Sequence, residues 1–410
     1  MTGAAVGRLY WVVPKTEEVY EVKYEAKKVF WLRAAMLAVI SLFGAFWASA
    51  GWADPEPIRI GVVLPTSGPI AYDGGLTLNG IKMAVDEINS AGGVLGSPVE
   101  LFVEDSAGVP ATAVAAMEKL VGMQKVVAVI GDFGSSCTLA MMDVAQRAQI
   151  PLITPVSLAP KITEMGNIWM FRGCDNSSMI ARAFTSWAVQ EKKIDKWAYI
   201  AINTDYGRGS VEAFNKDLEK LGAEVVFTEY FNQGETDYYP IVTRLAASEA
   251  NGLCLFGETV DLSRVVAQYH EMGLEGKMLI MDPTSGTFNA KFQELAKENS
   301  NGIVGATRFA AVIPTPEAQK FVSDYRARYG FDPEKYAQAG YDCTRMISLS
   351  IDKAQTADPA KIREALAAIQ YEGPQGKAHF DAKNQLIISE YIVSFQDGKL
   401  EIVAGPIAAE

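Results

Sequence analysis

The sequence has few of the residues on which metal and acid–base chemistry usually depend. Its 410 residues include two histidines, His270 and His379, and four cysteines that never form a C-x-x-C pair. A zinc site or a His-based catalytic triad therefore has few residues from which to be built. His270 is not part of an H-E-x-x-H motif, and we interpret it as a structural or solvated histidine on a helix.

Motifs for nucleotides and for nucleophilic catalysis are also missing. The glycine-rich segments at 66–75 and 203–209 lack the G-x-G-x-x-G spacing, and the first has no P-loop lysine. Gly134-Ser135-Ser136 continues as Cys137-Thr138, which is not a G-x-S-x-G elbow. We therefore predict a protein that holds no cofactor and is not an enzyme.

Basic residues are fewer than acidic residues. Lys and Arg total 37 against 49 Asp and Glu, a net charge of −12, which argues against nucleic acid as a partner. The chain is 49% hydrophobic and 21% charged, as in ordinary globular proteins. Its length favours two domains.

The longest apolar run lies near the N-terminus. An uncharged segment at 34–50 follows Lys27, Lys28 and Arg33 and precedes Asp54. This order is typical of a signal peptide, cleaved after residue 50 or 53, and the alternative is a membrane-spanning helix. We expect residues 1–53 to be an N-terminal extension and signal peptide, and the mature protein to be exported. Residues 1–26 are long and partly acidic for a signal sequence, so the true start is left open.

Strand and helix patterns alternate after the apolar run, which predicts an α/β fold with parallel sheets covered by helices. The chain is long enough for two such sheets. The strand patterns lie at 58–64, 99–104, 126–130, 151–154, 197–202, 224–230, 252–256, 278–281, 378–380, 390–395 and 400–403. The helix patterns lie at 76–88, 111–123, 139–147, 209–221, 239–248, 262–272, 316–328, 336–353 and 360–368.

Loops that follow strands are the candidate binding sites, because open α/β sheets bind ligands at the carboxyl ends of their strands. The loop at 66–75 offers Tyr72 and Asp73, and the loop at 203–209 offers Tyr206. Ser135 and Ser136 open a helix, where hydroxyls and free N–H groups receive a carboxylate or simply cap the helix. A fourth loop follows the strand that ends at 154.

The cysteines allow one disulfide in an exported protein. Cys254 and Cys343 lie in apolar segments, and we predict that they are buried thiols. Cys137 and Cys174 both follow strand ends, and their pairing is left open.

The segments IRIGVVLPTSGPIAYDGG, GIKMAVDEINSAGGVLG, IGDFGSSCT, PLITPVSLAPKIT, DYGRG and YAQAGYDC occur in this order. Together they resemble the periplasmic Leu/Ile/Val-binding proteins, which are type I periplasmic binding proteins and substrate-binding components of ABC importers. The resemblance implies two Rossmann-like lobes, joined by a three-strand hinge, with a ligand cleft between them. The implied crossings lie near 171–176, 305–310 and 377–384, which gives lobe 1 as 54–173 plus 309–380 and lobe 2 as 174–308 plus 381–410.

The resemblance also implies first-lobe contacts to the ligand. Ser135 falls on the serine that holds the ligand carboxylate, and Ser136 also matches. Val156-Ser157-Leu158 falls on the segment that supplies a backbone carbonyl and a threonine hydroxyl. Leu158 stands in place of that threonine, so the hydroxyl is missing unless Ser157 supplies it.

The remaining implied contacts depart from the family pattern, except for Tyr206, which matches a second-lobe tyrosine. Asp73, preceded by Tyr72, falls on a first-loop aromatic residue. Glu258 falls near another tyrosine, and Thr284 near the glutamate that pairs with the ligand ammonium. Asp73 and Glu258 either supply the charge that Thr284 lacks or are exposed acids at the cleft rim.

The resemblance implies a periplasmic solute-binding protein that closes around an amino acid or a related organic acid and passes it to an ABC permease. We expect a monomer. One alternative is a ligand sensor of the same fold that signals to a membrane receptor or regulator. The other is an exported α/β enzyme, for which the sequence offers no nucleophile–base pair.

Overall fold

The computed structural model of the chain describes residues 6–11, 20–25 and 55–408. The chain forms two compact units, 1–55 and 56–410. In the first unit, β1 (Val6–Trp11) pairs antiparallel with β2 (Tyr20–Glu25). The predicted signal peptide at 34–50 and both cleavage positions lie outside the described residues. Within the described ranges, no helix is long and apolar enough to cross a membrane.

The first lobe of the second unit is built on a parallel sheet with the order β4-β3-β5-β6-β7. The strands are β3 (Ile58–Leu64), β4 (Val99–Asp105), β5 (Ala128–Gly131), β6 (Leu152–Thr154) and β7 (Met170–Arg172). The helices between them are α1 (Ala71–Ser90), α2 (Pro110–Lys119), which continues as a π-helical turn (Leu120–Gln124), α3 (Ser135–Ala148) and α4 (Lys161–Glu164). Hydrophobic clusters lie on both sheet faces, which explains why these strands are apolar runs rather than alternating patterns.

The second lobe has a seven-stranded sheet with the order β17-β16-β12-β11-β10-β8-β9. Its strands are β8 (Lys196–Ile202), β9 (Glu224–Phe231), β10 (Gly252–Phe256), β11 (Leu279–Met281), β12 (Val304–Thr307), β16 (Glu390–Gln396) and β17 (Lys399–Ile407). Its helices are α5 (Ser177–Lys192), α6 (Asp205–Leu221), α7 (Tyr239–Ala246), α8 (Thr259–Glu271) and α9 (Ala290–Ala296), followed by a 3-10 turn (Lys297–Ser300). The parallel part of the sheet ends at β12, and β16 and β17 add an antiparallel edge.

The remaining elements follow β12. They are α10 (Pro316–Tyr329), α11 (Lys335–Ala354), α12 (Pro359–Ala367) and a small antiparallel sheet of β13 (Gln370–Gly373), β14 (Gly376–Phe380) and β15 (Leu386–Ile387). Helix α11 packs along α1 at unusually close range. A Cβ on Gly80 would lie 1.8 Å from the Ala337 oxygen, and one on Gly340 would lie 2.2 Å from the Thr77 oxygen. This contact fixes the first two turns of α11 beside the middle of α1.

The structure corrects the predicted start of the first helix. Helix α1 begins at Ala71, so Tyr72 and Asp73 lie in its first turn and not in a loop. Gly74 belongs to the predicted loop at 66–75, but it lies within the helix. A Cβ at this position would lie 2.1 Å from the Pro65 oxygen, so glycine allows the helix to start against the end of β3.

All four cysteines are free and buried. The thiols predicted at Cys254 and Cys343 are confirmed, and the pairing left open for Cys137 and Cys174 is not formed. The turn between β16 and β17 is a two-residue hairpin turn, in which Asp397 and Gly398 both have positive φ.

The chain leaves the five-stranded sheet after β7, leaves the seven-stranded sheet after β12, and returns to the seven-stranded sheet from the small sheet after β15. The third of these passages follows Ile387, because β15 still pairs with β14. Each passage carries a buried ionisable residue: Asp175, Arg308 and Glu390. Arg308 Nη1 donates to Asp175 Oδ1 at 2.6 Å. Burial and the nearby Asp175 raise the pKa of Glu390 well above its ordinary value, which favours its neutral form.

Candidate functional site

A cavity of about 60 Å³ lies between the two lobes. This is several times the ~10–15 Å³ that one water molecule needs, so the cavity has room for a small molecule. Both sheets reverse their strand order beside their first strand, at β3/β5 and at β8/β10. Ligands of open α/β sheets bind at this reversal, outside the carboxyl ends of the strands. The lining residues are Ile70, Gly108, Phe133, Gly134, Ser135, Ser136, Cys137, Val156, Leu158, Ile202, Thr204, Tyr206, Gln233, Glu258, Thr284, Lys335 and Tyr336.

The first-lobe wall is the N-terminus of α3. Ser135 and Ser136 are the first residues of this helix, whose first-turn N–H groups have no intrahelical acceptor. Ser135 Oγ accepts from the Ala159 N–H at 3.2 Å, so the hydroxyl proton stays available for an acceptor in the cavity. A helix N-terminus with free donors and a hydroxyl favours an anion, and it carries no formal charge of its own.

The second-lobe wall presents a chain of hydroxyls. Tyr206 lies in the first turn of α6, and its hydroxyl is 2.6 Å from Thr284 Oγ1. Thr284 Oγ1 also donates to Asp282 Oδ1 at 3.0 Å. Burial raises the pKa of Asp282, although its hydrogen bonds with Thr284 and Thr287 oppose the shift. These contacts fix the Tyr206 ring against the cavity.

Glu258 is the acid that lines the cavity. It occupies the N-cap position of α8, but its side chain does not cap that helix. Its carboxyl group has neither an ion pair nor a hydrogen bond to any described residue. Burial, together with Asp73 and Asp261, raises its pKa well above the ordinary value. A cationic partner would reverse this effect, so Glu258 is suited to bind an ammonium group.

Seven of the predicted site residues line the cavity: Ser135, Ser136, Val156, Leu158, Tyr206, Glu258 and Thr284. Tyr72, Asp73 and Ser157 do not. Tyr72 is partly buried against the first-lobe core. Ser157 Oγ donates to the backbone oxygens of Asp132 and Phe133 at 3.0 and 3.1 Å, so this hydroxyl is directed away from the cavity.

Asp73 connects the two lobes instead of lining the cavity. Thr259 Oγ1, in α8, donates to Asp73 Oδ1, in α1, at 2.7 Å. A second connection lies at Asp205, which accepts from Ser136 Oγ at 2.8 Å and pairs with Lys161 Nζ at 2.6 Å. The lobes are therefore in direct contact on two sides of the cavity, as in a closed arrangement.

Lys335 and Tyr336, the first residues of α11, also line the cavity, and our sequence reasoning did not include them. The Tyr336 ring packs edge-on against Phe133 with centroids 5.0 Å apart. A signal for Tyr336 was present, because this residue begins the matching segment YAQAGYDC. Lys335 precedes that segment and had no such signal.

Comparison with known proteins agrees with this geometry. A family model described as periplasmic binding protein matches residues 57–399. The chain belongs to the periplasmic binding protein family. Its fold is accordingly α/β with two lobes, as predicted, and the resemblance to the Leu/Ile/Val-binding proteins is confirmed. As a member of this family, the protein binds a solute and is not an enzyme.

Individual relatives share most of the chain. An amino acid binding protein of Pseudomonas aeruginosa is 32% identical over 378 residues, which cover 91% of this chain and 98% of the relative. A leucine-, isoleucine-, valine-, threonine- and alanine-binding protein of the same organism is 30% identical and covers 84% of this chain and 92% of its own length. The crystal structure of LivJ from Streptococcus pneumoniae with isoleucine has a TM-score of 0.78 at 26% identity, covering 85% of this chain and 99% of LivJ.

Proposed function

We propose that the protein captures an amino acid or a related small carboxylate in the periplasm and delivers it to an ABC importer. One observation carries the proposal. The cavity has a helix N-terminus with Ser135 and Ser136 on one wall and the unpaired carboxylate of Glu258 on another. The first group suits a ligand carboxylate and the second suits a ligand ammonium.

Binding would close the two lobes around the ligand. The contacts of Asp73 with Thr259, and of Asp205 with Ser136 and Lys161, join the lobes and would break on opening. The free energy of ligand binding would thus favour the closed state, in which these contacts form. The export signal at 1–53, the lobe limits, the monomeric state and the permease partner remain part of this proposal.

The binding step is tested by thermal unfolding of the purified protein with each amino acid and a set of small organic acids. A ligand at ~100 times its Kd stabilises the folded state by roughly 2.7 kcal/mol, which gives a visible rise in Tm. The ligand should be recovered unchanged after incubation. If none of these compounds shifts the transition, the proposal fails.

The delivery step is tested in cells. Deletion of the gene should abolish saturable uptake of the ligand found by the thermal screen, and the restored gene should return it. Uptake that is unchanged in the deletion strain would contradict delivery to an importer while leaving the binding step intact.

A further inference from the structure

Lys335 brings an unpaired positive charge to the cavity. The residue is 6% exposed, yet its side chain forms no ion pair or hydrogen bond with any residue in the described part of the chain. Its Nζ lies 5.0 Å from the centre of the Tyr336 ring. Lys335 also borders a larger groove of about 430 Å³, whose lining does not include Tyr336. The ring contact therefore places the ammonium beside an aromatic side chain of the cavity wall.

Three of the acids near Lys335 are occupied by other groups, and Glu258, which also lies near it, is the group assigned to the ligand ammonium. Asp175 binds Arg308 at 2.6 Å, and Asp73 accepts from Thr259 at 2.7 Å. Asp282 accepts from the Thr284 N–H at 3.1 Å and from the Thr287 N–H at 2.6 Å. None of these acids lies close enough to Lys335 to form an ion pair.

No acid in the described part of the chain therefore forms a direct ion pair with Lys335. Burial lowers the pKa of the ammonium, although Asp175, Asp282 and Glu390 act in the opposite direction. A buried ammonium without a partner is costly, and an anion that enters the cavity would remove that cost.

The proposed function already assigns the two groups that all amino acids share. The α-carboxylate goes to the N-terminus of α3, and the α-ammonium goes to Glu258. Lys335 is therefore left without an assigned ligand group. Resting on that proposed function, we propose that Lys335 binds a second anionic group, so that the ligand is an acidic amino acid with a short side chain carboxylate.

The first test compares isosteric ligands on the unmodified protein. Calorimetry with L-glutamate and L-glutamine, and with L-aspartate and L-asparagine, changes the side chain charge at nearly constant size. We expect at least one acidic ligand to bind roughly 10- to 150-fold more tightly than its amide, as a hydrogen bond to a charged group allows. An amide that binds as tightly as its acid in both pairs would overturn the inference.

The second test removes the charge. Lys335→Met keeps an unbranched stem, and Lys216→Met makes the same charge change at an exposed position on α6 that is absent from the cavity lining. We expect Lys335→Met to reduce the preference for the acid over its amide to less than about 3-fold, with Lys216→Met unchanged. A lower Tm with an unchanged preference would show that Lys335 is only structural. Equal weakening of acid and amide would place Lys335 on the α-carboxylate instead.

The two proposals fail differently. If glutamate and aspartate do not bind but the thermal screen finds another amino acid or carboxylate, the inference about Lys335 is wrong and the proposed function stands. If the screen finds no ligand, both are wrong. Comparing the two amide pairs on the unmodified protein does not require the Lys335 variant to fold.

Discussion

The two sides of the cavity recognise charge by different means. One side, at the start of α3, offers neutral donors: the Ser135 hydroxyl and backbone N–H groups. The other side presents ionisable groups of opposite sign, with Glu258 at the start of α8 in the second lobe and Lys335 at the start of α11, which packs on the first lobe. A neutral anion site serves any ligand with a carboxylate. Two ionisable groups of opposite sign, each without an ion-pair partner among the described residues, discriminate between ligands by the sign of the charge that the ligand presents. The first side therefore binds the carboxylate that all candidate ligands share, and the second side selects among these ligands.

Neutralising Glu258 is the test of this difference with the largest expected effect. Glu258→Gln leaves a ligand ammonium buried without a counter-charge, and we expect a loss of roughly 2–5 kcal/mol in calorimetry. The deaminated analogue of the ligand should lose little, because it lacks the ammonium. Equal and small losses for the two ligands would show that Glu258 does not bind the amine.

Ser135→Ala tests the neutral side, with a smaller expected effect. Loss of one hydroxyl donor to a charged carboxylate costs ~1.5–3 kcal/mol, which weakens binding roughly 10- to 150-fold. Ser323→Ala, at an exposed position on α10, is the matched control. The amine and its deaminated analogue should be affected alike. An unchanged Kd would reduce Ser135 to a helix cap.

Asp73 extends the comparison, because this acid connects the two lobes and does not line the cavity. Burial raises its pKa from 3.8 to about 7. The folded state therefore binds this proton more tightly than the unfolded state. The stabilisation is complete below about pH 3.8 and is lost as the pH rises through 7.

Urea unfolding checks this sign. From pH 6 to pH 8 we expect Asp73 alone to remove about 1.4 kcal/mol of the free energy of unfolding. Asp73→Asn should show a correspondingly flatter pH dependence, and Asp342, whose pKa burial also raises to about 7, titrates in both proteins and cancels. Identical slopes for wild type and variant would contradict the assignment.

The smallest effect is expected at the rim. The Lys161–Asp205 pair joins the lobes, but its lysine side chain is 54% exposed. Exposed pairs contribute ~0.2–1 kcal/mol, so Lys161→Ala should weaken binding less than about 5-fold. Calorimetry in rising salt should make variant and wild type converge. A loss as large as that of Glu258→Gln would remove the distinction between rim and cavity charges.

The sequence predicted the alternation of strands and helices well, because buried strands in a doubly covered sheet are short apolar runs. The strand predicted at 58–64 coincides with β3. The failures have local causes. Strand β7 has only three residues, too few to show a period, and the start of α1 was hidden because Gly74 and Gly75 resemble a turn.

For the candidate site, too, some residues were predicted from the sequence and others were missed. Ser135, Ser136 and Tyr206 were found because they follow strands directly, where the fold class alone predicts ligand contacts. Lys335 was missed because its position depends on tertiary packing. The close packing of α1 on α11, at Gly80 against Ala337 and Gly340 against Thr77, brings it to the cavity from a segment that follows no sheet strand closely.

The buried charges at the three passages between the sheets bear on how such proteins are recombined. Asp175 and Arg308 bind each other from different passages, and Glu390 lies beside them on the third. Replacing one passage with a segment that lacks its charged residue would leave a buried charge without its partner, at a cost of about 3–5 kcal/mol. A chimaera that exchanges one lobe must therefore carry the three connecting segments as a set, and its junctions belong in the exposed loops beyond them.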